Sequence, residues 1–438
     1  MPSAAVVRTS RGKVRGIPTA HGQAFLGIPY AAPPLGQDRF RRPRPADPWD
    51  GVREAGSFGP AAPQPIRQLP GIDSAGILGS GWSGSAPELT LNIWTPDPAL
   101  RGLPVMVFAH GGAFVAGSPS APIYHGDAFA RDGVVLVSIV YRLGLEGFLS
   151  VPGGDANPGM RDQLAALAWV QDEIAVFGGD PDNVTAFGQS AGAITLGLLA
   201  SSKVFNGLTQ RVISQSGGLA LTHSRDQGAR IAAAVADRLG IPPTLEAFAE
   251  LPIGDVIAVQ AAMGPGSVDL GPEPDPALGL VLLLPVRDGE VVPDEPLSGI
   301  AASGIDLMVG DTTEEGNLYV AGDPAGDLAA AQPLTEHIFR APTAALAEAH
   351  GAGPARTFRY EFAWRSSALG GRLGACHGVE LPFVFDTVDA PGLTAEIGLL
   401  GPRPVPRELV SRTHGAWVDF ATTGNPGWAE YPYRETLA

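Results

Sequence analysis

The sequence has little of several features that define other protein classes. Its 438 residues include one cysteine, Cys376, which excludes an internal disulfide and a cysteine-based zinc site. No run of 18 apolar residues occurs, so no segment is predicted to span a membrane. Charged residues interrupt the N-terminal stretch before a signal-peptide apolar region could form. We therefore expect a cytoplasmic protein that is held together by its core.

Positive charge is also scarce. The only lysines are Lys13 and Lys203, and 29 Lys and Arg residues stand against 45 Asp and Glu residues, which gives a formal net charge of −16. Nucleic-acid and anionic-membrane binders carry basic surfaces, so neither partner is expected. Apolar residues make up 45% and charged residues 17% of the chain, which allows a large core and excludes disorder as the main state.

Alternating strand and helix patterns predict an α/β fold. The runs 105–109 and 134–141 are short and apolar, as in strands buried on both faces of a parallel sheet. Further patterns predict strands at 184–187, 212–214, 307–309 and 357–362, a turn at 180–183, and helices at 159–177, 191–200, 226–263 and 335–350. This order is typical of a central, mostly parallel sheet flanked by helices.

The Pro/Gly-rich stretches 60–85 and 264–300 have little periodicity and are predicted to be loops. No repeat or clear linker interrupts the chain. We therefore expect residues 1–438 to form one domain, with loop or helical insertions around 60–90 and 226–300.

The pentapeptide Gly188-Gln189-Ser190-Ala191-Gly192 fits the pattern G-x-S-x-G. The pattern alone is weak, because roughly 0.4 matches arise by chance in so glycine-rich a chain. Its position between a predicted strand and a predicted helix is more specific, because a serine on that sharp turn presents its hydroxyl as a nucleophile. The alternative is a glycine-rich turn that contains an incidental serine.

A nucleophilic serine needs a base, and the base needs an orienting acid. On such folds the chain order is serine, acid, histidine. His377 follows the late predicted strand and is the candidate base. Asp311, Glu314 and Glu315 follow the 307–309 strand, and the end of a strand is where an active-site acid belongs in an α/β sheet.

Two glycines follow the 105–109 strand directly after His110. The backbone N–H groups of Gly111 and Gly112, together with that of Ala191, could point at one spot and form an oxyanion hole. An ordinary glycine turn is the alternative. No metal-ligand cluster or phosphate-binding G-x-x-x-x-G-K motif occurs, so we expect neither metal nor cofactor.

Taken in order, these segments resemble the type-B carboxylesterase family, which includes bacterial para-nitrobenzyl esterases and cholinesterases. The similar segments are GIPYAAPPLGQDRFRRP, HGGAF, NPGMRDQLAALAWVQDEIAVFGGDPDNVTAFGQSAG, VISQSG, DTTEEG and CHGVELPFVF. The resemblance covers nearly the whole chain. It implies an α/β-hydrolase fold and hydrolysis of small-molecule carboxylic esters, and the expected oligomeric state is a monomer.

The resemblance also implies roles for individual residues. It identifies Ser190 in GQSAG as the nucleophile, Glu315 before the glycine of EEG as the acid, and His377 in CHG as the base. Glu314 is the competing acid. The other implied residues are the oxyanion donors Gly111, Gly112 and Ala191, and Ser216, which is expected to hydrogen-bond to the acid.

The chain departs from the family pattern in places. An acidic pair that usually precedes one strand is replaced by Ser85-Ala86-Pro87-Glu88, so Arg39 is expected to lack its usual partner unless Glu88 substitutes. Gln189 is neutral where cholinesterases have glutamate, which weakens the case for cationic substrates. The 316–358 segment is shorter than usual. The alternative functions are an amidase or carbamate hydrolase with the same machinery, and a non-catalytic binding protein on this fold.

Overall fold

A computed structural model describes residues 3–438. The strands of this range, in chain order, are β1 (Val6–Arg8), β2 (Lys13–Arg15), β3 (Ile17–Pro18), β4 (Gln23–Ala31), β5 (Val52–Glu54), β6 (Leu89–Thr95), β7 (Leu103–Ala109), β8 (Val135–Ile139), β9 (Gly179–Gln189), β10 (Arg211–Gln215), β11 (Asp306–Thr312), β12 (Thr357–Phe362) and β13 (Arg434–Leu437).

The α-helices are α1 (Ala75–Leu78), α2 (Asp127–Arg131), α3 (Gly144–Phe148), α4 (Pro158–Glu173), α5 (Ala191–Ala200), α6 (Arg225–Leu239), α7 (Leu245–Ala249), α8 (Ile253–Ala262), α9 (Pro296–Ala301), α10 (Asn317–Val320), α11 (Ala331–Leu334), α12 (Ala341–Gly351), α13 (Leu381–Val384) and α14 (Arg407–Thr423). A π-helical segment, Thr335–Arg340, joins α11 to α12. Among residues 3–438, no helix has both the length and the apolar character needed to cross a bilayer.

Ten strands form the main sheet, in the order β13-β12-β11-β10-β9-β7-β8-β6-β4-β3. The seven strands from β13 to β8 in this order are parallel to one another. The remaining three pair antiparallel at the other side of the sheet. The carboxyl ends of the parallel strands therefore meet at one edge, where ligands bind in α/β sheets. The strands β1, β2 and β5 form a separate small sheet.

Apolar residues fill both faces of the main sheet. Along β7, Val105 and Val107 belong to one buried cluster, whereas Met106 and Phe108 belong to the other. This alternation follows from the period of two in a strand. Leu167 of α4 packs in the first cluster and helix α14 packs against the second, so helices cover both faces, as the sequence predicts for a parallel sheet.

The predicted strands and helices are present, but α1 lies within the stretch 60–85 and α9 begins within the stretch 264–300, both predicted to be loops. Residues 180–183 also differ from the prediction. A turn was expected there, but β9 already begins at Gly179. The pairing with β7 moves from Leu103–Gly179 directly to Val105–Val184, so the four residues between bulge out of the ladder. Pro181, which has no N–H to donate, lies in this bulge.

Arg39 has a buried acidic partner that the sequence analysis did not identify. Its guanidinium pairs with Glu146 of α3 and also donates to the carbonyls of Ala249 and Leu251. Glu88, the expected substitute, forms no ion pair with it within residues 3–438. The prediction that Arg39 lacks a partner unless Glu88 substitutes was therefore wrong, because tertiary packing brings the carboxylate of Glu146 from helix α3.

Candidate active site

Ser190 lies on the turn between β9 and α5, with φ 56° and ψ −126°. This backbone conformation is strained for a residue with a side chain. A Cβ on Gly192 would lie 2.0 Å from the Ala109 carbonyl oxygen, and one on Gly188 would lie 2.7 Å from the Gly192 carbonyl carbon. The two glycines of the pentapeptide are therefore required by the close packing of this turn, and Ser190 is on the strand-to-helix turn that the sequence predicts.

The register of the sheet brings the candidate residues to one edge. Gln189, the last residue of β9, pairs with Gln215 of β10, which in turn pairs with Gly310 of β11. The Ser190 N–H donates to the Gln215 carbonyl at 2.8 Å, and the Ser216 N–H donates to the Gly310 carbonyl at 2.8 Å. Both serines therefore stand at the carboxyl ends of adjacent parallel strands.

The fully buried carboxylate of Glu315 lies beside His377. Its Oε2 is 2.5 Å from Nδ1 of His377. Its Oε1 accepts hydrogen bonds from the Ser216 hydroxyl at 2.6 Å and from the Thr312 N–H at 2.7 Å. Glu314, the competing candidate, pairs instead with Arg365. Of the two adjacent glutamates, the structure places Glu315 next to the imidazole.

The imidazole of His377 has a second contact that the sequence analysis missed. Since Nδ1–H donates to Glu315, Nε2 is left as the acceptor, and the Gln189 amide nitrogen lies 3.1 Å from this atom. Within residues 3–438 no hydrogen bond joins the Ser190 hydroxyl to His377. The structure thus brings Glu315, Ser216 and His377 into contact, and places Ser190 across a shared cavity.

We call this the Ser190 cavity. It has a volume of about 50 Å³. Its lining residues are Arg67, Leu69, Ile77, Leu78, Gly111, Gly112, Ala113, Tyr124, Gln189, Ser190, Leu318, Tyr319, His377, Gly378 and Leu381. The ring of Phe339, from the π-helical segment, has its centroid 4.5 Å from that of the His377 ring. Periodicity could place Phe339 on a helix but not against the imidazole.

The oxyanion candidates line the same cavity at the end of β7. In the described range, the N–H groups of Gly111 and Gly112 donate to no protein acceptor, so both are free for a ligand. Gly112 has φ 122°, and a Cβ there would lie 1.9 Å from the Ala116 carbonyl oxygen. Ala191 begins α5 directly after Ser190, so its N–H is at a helix N-terminus, where donors have no intrahelical partner.

His110 supports this glycine turn rather than acting as a base. Its ring Nδ1–H donates to the Gly111 carbonyl at 2.7 Å, and the ring stacks on Tyr141 with centroids 4.7 Å apart. Burial lowers the pKa of His110 to about 4. The side chain therefore stays neutral at neutral pH and acts as a rigid support for the turn.

Two further buried carboxyl groups lie near Glu315. Glu380 accepts a hydrogen bond from the Gln215 amide at 3.0 Å, while its Oε2 has no partner among the described residues. Burial, followed by the charge of Glu315, raises the pKa of Glu380 to about 7, and the same two causes raise that of Asp311 to about 7. The sequence carried a signal for Glu380, since an acid within the otherwise apolar run VELPFVF is unusual.

Cys376, next to His377, is fully buried. Burial raises the pKa of its thiol well above the ordinary value, so the reactive thiolate is disfavoured. Across residues 3–438, no group of three or more His, Cys, Asp or Glu side chains is arranged to hold a metal ion.

Comparison with known proteins decides the family. The model of the carboxylesterase family matches residues 3–332. The chain belongs to the carboxylesterase family. It is 32% identical to the para-nitrobenzyl esterase of Bacillus subtilis, over 99% of this chain and 94% of that protein. It is also 32% identical to the phenmedipham hydrolase of Pseudarthrobacter oxydans, over 99% of this chain and 92% of that protein.

Solved structures agree with this assignment. A para-nitrobenzyl esterase structure superposes with a TM-score of 0.86 at 31% identity, covering 100% of this chain and 96% of that one. A carboxylesterase of Geobacillus stearothermophilus gives 0.81 at 33% identity, covering 98% and 93%. The fold is the α/β-hydrolase fold, and this carboxylesterase is a carboxylic ester hydrolase, as the resemblance implied. The alternative of a non-catalytic binding protein is not supported.

Proposed function

We propose that this carboxylesterase cleaves small-molecule esters through an acyl-enzyme on Ser190, with His377 as general base and Glu315 as the orienting acid. The observation that carries the proposal is the 2.5 Å contact between Glu315 and His377, on the cavity that the strained Ser190 turn also lines. A serine on such a turn, a base and a buried acid are the three parts that nucleophilic acyl transfer needs.

The reaction follows from these positions. The Ser190 hydroxyl oxygen attacks the ester carbonyl carbon, and its proton passes to Nε2 of His377. Glu315 stabilises the resulting imidazolium through the hydrogen bond at Nδ1. His377 then gives the proton to the departing alcohol, which leaves the acyl group on Ser190. A water molecule, deprotonated by His377, attacks the acyl carbon. The bond to Ser190 then breaks, His377 returns the proton to the Ser190 oxygen, and the carboxylic acid is released.

The developing oxyanion needs donors that are already in place. We assign this role to the N–H groups of Gly111, Gly112 and Ala191. The support for it is that the two glycine N–H groups lack protein acceptors and that all three residues adjoin the Ser190 turn. Removing one such donor typically costs about 3–4 kcal/mol of transition-state stabilisation.

Gln189 has to move for the first step. A neutral imidazole nitrogen has one acceptor position, and the Gln189 amide lies on it at 3.1 Å. The Ser190 hydroxyl can transfer its proton only when that position is free. We propose that the entering ester displaces the amide, so that Nε2 accepts a hydrogen bond from the Ser190 hydroxyl in place of the one from Gln189.

The direct test is the variant Ser190→Ala, assayed with p-nitrophenyl butyrate. We expect kcat to fall by roughly 10³-fold or more while the fold is kept. Ser201→Ala is the matched control, because Ser201 follows the same helix and its hydroxyl bonds only to the Leu198 carbonyl within the described range. If Ser190→Ala hydrolyses the ester at the rate of the control, Ser190 is not the nucleophile.

A further inference from the structure

Arg67 lies where three cavities of the described chain meet. It lines the Ser190 cavity, and it also lines an apolar cavity of about 280 Å³ and a third cavity of about 200 Å³. The walls of the apolar cavity include Val115, Leu145, Met263 and the run 280–283. Arg67 is the one residue of the described chain that lines all three cavities.

Among residues 3–438, Arg67 brings the only permanent charge to the lining of the Ser190 cavity. All other lining residues are apolar, glycine or neutral polar, apart from His377. The positive charge of Arg67 acts on the hydroxyl of Tyr319 in the same lining, where it opposes the rise in the Tyr319 pKa that burial causes. The guanidinium is thus within electrostatic reach of groups that face Ser190.

Arg67 is half-buried, and in the range 3–438 its guanidinium has no protein partner, either as an ion pair or as a hydrogen-bond donor. Asp73 is the only carboxylate among the residues that line the three cavities. Its Oδ1 accepts the Ala75 N–H at 3.1 Å, and its Oδ2 faces Gly392. In a chain with a net charge of −16, an unpaired arginine in this position is available to a ligand.

We propose that Arg67 selects esters that carry a second, ionised carboxyl group, and that it holds this carboxylate while the ester carbonyl reaches Ser190. The inference rests on the proposed function of Ser190. The guanidinium fork matches a carboxylate in two parallel hydrogen bonds, and in the part of the chain that the structure describes no other Arg or Lys lines the Ser190 cavity to compete for it. The carboxylate can belong to the acyl part, as in a half-ester of a dicarboxylic acid, or to the alcohol part.

The test compares matched charged and neutral esters at pH 7.5. For the acyl side, the pair is mono-p-nitrophenyl glutarate and p-nitrophenyl methyl glutarate, with nitrophenol release as the readout. For the alcohol side, the pair is 4-acetoxybenzoate and 4-acetoxybenzamide. The measured quantity is the ratio of kcat/KM for the charged ester to that for its neutral partner, in wild type, Arg67→Gln, Arg67→Lys and Arg403→Gln.

We expect Arg67→Gln to lower this ratio by about 10- to 100-fold for one of the two pairs, mainly through KM. The pair that responds identifies the side that carries the carboxylate. Arg67→Lys should give a ratio between those of wild type and Arg67→Gln, because lysine keeps the positive charge but lacks the two parallel donors of the guanidinium. Arg403 is exposed and lines none of the three cavities, so Arg403→Gln should leave the ratio unchanged. Added salt should lower the wild-type ratio more than that of Arg67→Gln.

If Arg67→Gln leaves both ratios at their wild-type values, the inference is wrong and Arg67 is a solvated rim residue. The same holds if charged and neutral esters lose activity equally. Failure of the proposed function is a separate outcome, since Ser190→Ala would then hydrolyse all four esters at wild-type rates whatever the Arg67 variants do.

Discussion

The Gln189 amide nitrogen lies 3.1 Å from Nε2 of His377. This is the imidazole nitrogen that must take up the serine proton in the proposed reaction, so a neutral side chain stands in hydrogen-bond contact with the candidate base. The other imidazole nitrogen, Nδ1, lies 2.5 Å from Glu315, so a change of charge at position 189 would act directly on the candidate base.

We predict that Gln189→Glu moves the acid limb of the kcat/KM profile to higher pH, by about 1 unit. A carboxylate next to the imidazole stabilises its protonated form, so a higher pH is needed to free the base. The measurement is kcat/KM for p-nitrophenyl butyrate from pH 5 to 9.

Gln37→Glu is the control for added negative charge, since Gln37 is exposed and does not line the Ser190 cavity. It should leave the acid limb in place. An unshifted limb in Gln189→Glu would show that position 189 does not contact the titrating base.

We predict that Ser216→Ala lowers kcat about tenfold, because the variant removes the 2.6 Å hydrogen bond that holds Glu315 Oε1 and bonds to charged groups contribute more than neutral ones. Ser214→Ala is the matched control. It also removes a buried serine bond, from Ser214 Oγ to the Gly217 carbonyl at 2.7 Å, but leaves Glu315 untouched. Both variants should lose about 1 kcal/mol of stability. Equal kcat values in the two variants would argue against a role for Ser216 in orienting the acid.

We predict that the wild-type free energy of unfolding falls as pH rises from 4.5 to about 7, in part because of Glu380. Its pKa in the folded protein is raised from 4.5 to about 7, so between these values the folded state holds a proton that the unfolded state releases. Raising the pH therefore favours unfolding. Glu380→Gln should reduce the difference in stability between pH 5 and pH 8.5 by about 1–3 kcal/mol, measured by denaturant unfolding.

Replacing an exposed carboxylate tests whether burial is the cause. Glu408 on α14 is exposed, so in Glu408→Gln the free energy of unfolding should depend on pH as it does in the wild type. If Glu380→Gln shows that same dependence, Glu380 does not hold a proton in the folded state.

We predict that Glu146→Gln destabilises the fold by about 3 kcal/mol, because it leaves the buried Arg39 charge without its counter-charge. Glu88→Gln should change stability by less than about 0.5 kcal/mol, since Glu88 makes no ion pair in the described range and is partly exposed. Denaturant unfolding of the two variants decides between the partners. A larger effect at Glu88 would contradict the pairing seen in the structure.

These cases show which parts of the site could be predicted from the sequence. The Ser190 turn is encoded locally, because a strand, two close-packed glycines and a helix lie within one short stretch. The alternation of strands and helices likewise predicts the sheet, and thus that Ser190, Ser216 and Glu315 stand at one edge. The choice of Glu315 over Glu314 came from the family motif rather than from periodicity.

Contacts between distant side chains could not be predicted in this way. Arg39 and Glu146 are 107 positions apart, and Gln189 and His377 are 188 apart. Such pairs depend on the packing of loops and helices above the sheet, which no local pattern encodes. The same reason explains why neither the contact of the Phe339 ring with His377 nor the position of Arg67 on three cavities could be foreseen.

The most direct test of the central claim is covalent labelling with diethyl p-nitrophenyl phosphate, followed by peptide mass spectrometry and an esterase assay on the same sample. We expect activity to be lost in proportion to one diethylphosphoryl group on Ser190, and His377→Ala to be labelled far more slowly. Complete inactivation with Ser190 unmodified, or full modification of Ser190 with activity retained, would contradict it.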